Sequence, residues 1–125
     1  MNRIESARRA IGLIDLTDLA DDHSPDGIDD LCRRAREHST AAVCVWPEYV
    51  ERCAALLSGS GVRVATVVNF PSGDESVDTV VAAVRSALAA GADDVDLVLP
   101  YRALLDGDAV RLVEWWDERA ADYLR

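Results

Sequence analysis

The residue with the clearest chemical potential is Asp96, in the apolar run Asp93-Asp94-Val95-Asp96-Leu97-Val98-Leu99-Pro100-Tyr101. Side chains alternate along a strand, so Val95, Leu97 and Leu99 share one face, expected to meet helices. Asp94, Asp96 and Val98 share the other. A carboxylate in the middle of a buried parallel strand loses its water and needs a cation or hydrogen-bond donors in compensation. Asp96 is therefore a candidate site residue, for proton transfer or for holding a cation; the competing reading is a structural Asp bonded to backbone amides or an Arg. Cysteine and histidine add little to this. Cys32, Cys44 and Cys53 are odd in number and contain no Cys-x-x-Cys, and only His23 and His38 could join them as ligands. Neither a metal site nor a disulfide framework is expected.

Positioning Asp96 requires a sheet, and the order of elements supplies one. Arg3 to Ile11 reads as a leading helix and Leu13 to Thr17 as a short strand. Ser24-Pro25 is an N-cap with proline in the first helical position, followed by Ile28, Leu31, Cys32 and Ala35 at helical spacing, ending near His38. Thr40 to Trp46 is the second strand. Pro47 opens a helix with Val50, Cys53, Ala54 and Leu57 on its apolar stripe, stopped by Gly59 and Gly61. Val62 to Phe70 is nearly continuous in apolar and β-branched residues, as in a parallel strand covered on both faces. After the turn at Pro71 to Asp74, in which Asn69 is expected to hold the Phe70-Pro71 corner, Val77, Val80, Val81, Val84 and Leu88 mark an amphipathic helix ending at Gly91. The Asp96 strand follows. A connection from Tyr101 to Asp108 leads to a last helix through Val110, Val113, Trp116, Ala120 and Tyr123. Trp115 and Trp116 point about 100 degrees apart on it, so at least one is expected at an interface.

This is β-α four times over, in one domain of 125 residues. An open doubly wound sheet and half of a (β/α) barrel of the TIM type both fit. The absence of G-x-G-x-x-G and of a phosphate-binding P-loop sequence favours the half barrel. Composition narrows the partners. The net charge is -10, from 23 acidic residues against 13 arginines with no lysine. That excludes a general nucleic-acid or anionic-membrane binder. With neither a signal-like segment nor an apolar run of about 18 residues, a cytoplasmic location is expected.

Four blocks carry a resemblance. Asp15-Leu16-Thr17, the run from Ala41 to Pro47 (AAVCVWP), the run from Val64 to Gly73 (VATVVNFPSG) and the run from Gly91 to Leu104 (GADDVDLVLPYRAL) resemble, in order and spacing, the first four strands of deoxyribose-phosphate aldolase, over about residues 11 to 114. The resemblance implies a TIM-type barrel and the reversible cleavage of 2-deoxyribose 5-phosphate to glyceraldehyde 3-phosphate and acetaldehyde through a Schiff base on a lysine, with no metal and no cofactor. The imine is an electron sink for the carbanion that C-C cleavage leaves. It implies further that Asp96 is the aspartate of the proton relay, and that Asp15, Thr17 and Cys44 line the substrate pocket. Each has a plainer alternative: Cys44 a small core residue, Thr17 a strand-end cap, Asp15 a loop acceptor.

The chain departs from the family in having no lysine. The family's Schiff-base lysine lies on the sixth strand, its activating lysine on the seventh, and its phosphate-binding loops near the end of the barrel. Two readings follow: an N-terminal half barrel, truncated or split, completed by a separate C-terminal half and inactive alone, or a non-catalytic half barrel that homodimerises. With no lysine beside it, a buried Asp96 would take up a proton or borrow an Arg, so Asp96→Asn is expected to be tolerated or stabilising in the isolated chain.

Overall fold

The computed structural model describes residues 1–117. Four short strands, β1 (Asp15–Asp18), β2 (Ala42–Val45), β3 (Arg63–Val68) and β4 (Asp94–Leu97), alternate with helices α1 (Arg3–Ile11), α2 (Pro25–His38), α3 (Val50–Leu57), α4 (Val77–Ala90), α5 (Tyr101–Leu105) and α6 (Ala109–Asp117). All strand pairs are parallel and their order is β1-β2-β3-β4. An order without reversal is that of a barrel segment, whereas a doubly wound sheet turns back at a switch point.

Local sequence accounts for the helix ends. Asn2 and Glu5 form a reciprocal capping box on α1. Ser24 accepts from the Gly27 amide at the start of α2 with Pro25 in the first turn, and Ser76 accepts from the Thr79 amide at the start of α4. Gly91 closes α4 in the left-handed region, φ 106°. Pro47 opens a single 3-10 turn, Pro47–Tyr49, before α3 begins at Val50.

The helices α2, α3 and α4 lie on one face of the sheet. Ile28, Leu31, Cys32 and Ala35 of α2, Val50, Cys53 and Leu57 of α3 and Ala87 of α4 pack against Val43, Val45 and Val64, with Leu16 and Val95 at the two sides. Fully burying each branched aliphatic contributes about 1.5 to 3 kcal/mol, so this face carries most of the stability. In α4 Ala87 takes the inward place, and Leu88 is 53% exposed. The helix end runs too close to α3 for more, since a Cβ on Gly91 would lie 3.0 Å from that of Ala54.

Several expected boundaries move. The segment expected as a connection contains the short helix α5, and the last helix starts at Ala109. Ala120 and Tyr123 lie outside the described residues. β4 ends at Leu97, so Leu99 does not join Val95 against the helices; 40% exposed, it borders an apolar hollow of about 330 Å³ with Leu112, Val113 and Trp116. Trp116 is 46% exposed.

Candidate functional site

The second face of the sheet holds the candidate site. Register places Thr17 beside Cys44, Cys44 beside Ala65, and Val67 beside Asp96. Two-residue alternation adds Asp15, Arg63 and Asp94 to the same face. Its apolar part is small: Cys44, Ala65 and Val67 pack under Leu19 and Trp46. The Trp46 indole N–H donates to the Ala20 carbonyl at 3.2 Å, and its ring meets Phe70 edge-on with centroids 5.5 Å apart. Below this patch Arg63 pairs with Asp94 at 3.0 Å.

The four residues singled out in the sequence converge here, but Asp96 is not buried. It is exposed, as are Asp15 and Thr17, whereas Cys44 is 4% exposed. The expectation of burial rests on the Asp96 strand lying inside a buried parallel sheet. Among the described residues helices cover only one, and β4 is an edge of the sheet. The case for a protonated or Arg-paired Asp96 therefore lapses, and Asp96→Asn should be tolerated because the carboxylate is solvated.

Cys44 records how the carboxylates are arranged. Burial pushes its thiol up to about 11, and the negative charges of Asp96 and then Asp15 add to the shift. Thr17, whose hydroxyl donates to the Asp15 carbonyl at 2.9 Å, lies beside the sulfur and acts the other way. Asp15, on the neighbouring strand β1, and Asp96, two strands away on β4, thus act on one thiol across the same face. At neutral pH Cys44 is a neutral, weakly polar wall. Its alkylation by iodoacetamide in the folded chain should stay slow through pH 9 and rise toward pH 11, and Asp96→Asn should move that rise to lower pH; a rise centred near the ordinary thiol value of about 8.5 would contradict the arrangement.

The loops that frame this face are tied together by Asn69. Buried and left-handed at φ 57°, it donates from Nδ2 to the Val98 carbonyl at 2.7 Å, accepts the Glu75 amide at Oδ1 at 2.8 Å, and accepts the Gly73 amide at its own carbonyl at 2.9 Å. The expected role at the Phe70-Pro71 corner, where the peptide bond is cis, is thus extended into a link between the β3-α4 turn and the end of β4. Gly73, φ 73°, completes it: a Cβ there would fall 2.5 Å from the Leu99 carbonyl oxygen.

Trp46 and Phe70 were not picked out from sequence as framing the face. Their signal is an aromatic residue one or two positions after a buried strand, where barrel loops begin. Among the described residues no group of three or more His, Cys, Asp or Glu could hold a metal, and no helix is long and apolar enough to cross a membrane.

Comparison with known proteins gives this geometry a family. Residues 9–116 match the DeoC/LacD family of aldolases. The chain is 46% identical over 113 residues to the deoxyribose-phosphate aldolase of Agrobacterium fabrum, covering 88% of this chain and 44% of that protein. Among solved structures, a Coccidioides immitis protein assigned as a deoxyribose-phosphate aldolase superposes with a TM-score of 0.77 at 35% identity, over 79% of this chain and 39% of that one. The tetrameric deoxyribose phosphate aldolase of Aeropyrum pernix does so with a TM-score of 0.77 at 25% identity, over 97% and 51%. The chain belongs to the DeoC/LacD aldolase family, and it spans about half the length of the relatives it matches.

Proposed function

We propose that this chain is the first half of a deoxyribose-phosphate aldolase barrel, acting in the reversible cleavage of 2-deoxyribose 5-phosphate to glyceraldehyde 3-phosphate and acetaldehyde. The observation that carries the reading is the shared, uncovered sheet face on which Asp96, Asp15, Thr17 and Cys44 stand. Its two bounding strands, β1 and β4, each have one neighbour among the described residues. Four further β-α units would join both edges and enclose the face as a barrel interior.

In that enclosure Asp96 is the proton-relay carboxylate, and Asp15, Thr17 and Cys44 form the pocket wall. The Schiff-base lysine and the phosphate-binding loops come from the second half, since this chain has no lysine. The thiol of Cys44, neutral at pH 7, adds no negative charge to a site that must accept a phosphosugar.

A homodimeric, non-catalytic half barrel is the second reading. Exposed apolar side chains at both edges favour it: Leu13 and Ile14 before β1, Leu99, Val113 and Trp116 beyond β4. Charge disfavours it, because two copies would bring Asp15, Asp94 and Asp96 of one face against the same residues of the other. Light scattering separates the two: a monomer at micromolar concentration excludes the dimer, and a stable dimer that persists without aldol cleavage when a C-terminal half is added excludes the first reading.

A further inference from the structure

On the helix side of the sheet, away from the site, Cys32 of α2 and Cys53 of α3 stand with their sulfurs 3.5 Å apart. Both are fully buried. We propose that they are a peroxide-reactive dithiol that closes to a disulfide linking α2 to α3.

Two clamps hold the helices on either side of the pair. Asp29, one turn before Cys32, receives Arg52, the residue next to Cys53, through two bonds of 2.6 and 2.8 Å. Toward the other end, Arg36 donates to the Leu56 carbonyl at 2.7 Å. The sulfurs are therefore kept in contact. Bond formation at about 2.05 Å asks for an approach of about 1.5 Å from the 3.5 Å contact. Cys44 is no competitor, because the sheet lies between it and the pair.

The two thiols are unequal. A hydrogen bond with Cys53 holds Cys32 below the ordinary thiol value against burial and the negative charge of Asp29, with a smaller contribution from the Arg52 charge; Cys53, bonded to Cys32 and buried, is pushed well above it. Cys32 is then the attacking group. Its thiolate displaces on one peroxide oxygen, the O–O bond breaks, and water leaves after proton uptake, giving a sulfenic acid. The Cys53 sulfur attacks Cys32, the S–O bond breaks, and the Cys53 proton leaves with the hydroxyl as a second water. Two thiols and one hydrogen peroxide become one disulfide and two waters. Peroxide is small and uncharged, which suits a pair that bulkier oxidants would reach only after the helices part.

The test treats the folded chain with a few equivalents of hydrogen peroxide, quenches, unfolds it and counts thiols. The expected result is a fall from three thiols to one, a monomer lighter by two hydrogens, full recovery with dithiothreitol, and a melting temperature several degrees higher when oxidised. Cys44→Ser should still lose both remaining thiols. Cys32→Ser and Cys53→Ser should each abolish the intramolecular link. Retention of all three thiols, oxidation confined to Cys44, or cross-linked dimers that persist in Cys32→Ser would each overturn the proposal.

Discussion

Asp96→Asn is expected to leave the stability of this chain nearly unchanged and to lower aldol cleavage in the completed barrel by about 100-fold or more. The stability half follows from exposure. A solvated carboxylate on an open sheet face contributes little, and surface substitutions away from special features stay within about 0.5 kcal/mol. The activity half follows from the proposed role, because positioned acid-base groups contribute roughly 10²- to 10⁴-fold, and an amide can occupy the same volume without carrying a proton. The two measurements belong together. A drop in kcat without a change in melting temperature is the signature of chemistry. A loss of melting temperature in the isolated chain would mean that Asp96 is a structural acceptor, and its role in the relay would lose its support.

Gly73→Ala should destabilise the chain by about 3 kcal/mol, lowering the melting temperature by roughly 10 °C. Two effects combine. An L-residue at φ 73° is strained, and the new methyl would overlap the Leu99 carbonyl oxygen at 2.5 Å, a backbone atom that cannot turn aside. Gly59→Ala is the matched control. It has nearly the same backbone, φ 76°, with nothing within 4 Å of the new carbon, so it carries only the backbone cost of about 1 kcal/mol. Equal losses in the two variants would show that the packing of the β3-α4 turn on the end of β4 is unimportant. A much larger loss at Gly73 would show that the turn holds β4, and with it Asp96, in place.

The strand and helix order was legible because buried parallel strands and amphipathic helices leave strong periodic signals. Ser24-Pro25, Pro47 and Gly91 mark their boundaries with residues whose backbone preferences allow little else. The face shared by Asp96, Asp15, Thr17 and Cys44 was reached through the resemblance, since no local pattern relates positions 15, 44 and 96. Their juxtaposition arises from register across three strand pairs, which single-strand periodicity does not encode. The exposure of Asp96 was misread for a related reason. The apolar neighbours Val95 and Leu97 report a strand made to be covered, and say nothing about which residues cover it. Leu99 was assigned to the helix face by simple alternation, which stops applying once the strand ends at Leu97. The contact between Cys32 and Cys53 was equally hidden, because 21 residues separate them and only the packing of α2 on α3 brings them together.

The most direct test of the central claim is cleavage of 2-deoxyribose 5-phosphate by this chain mixed with a separately expressed C-terminal half of a deoxyribose-phosphate aldolase of the same family, followed by acetaldehyde release. The expected result is no turnover by either half alone, turnover on mixing that saturates at equal stoichiometry, and loss of that turnover with Asp96→Asn. If the halves form a stable complex that is inactive, or one whose activity is indifferent to Asp96→Asn, the assignment of this sheet face to aldol chemistry is wrong.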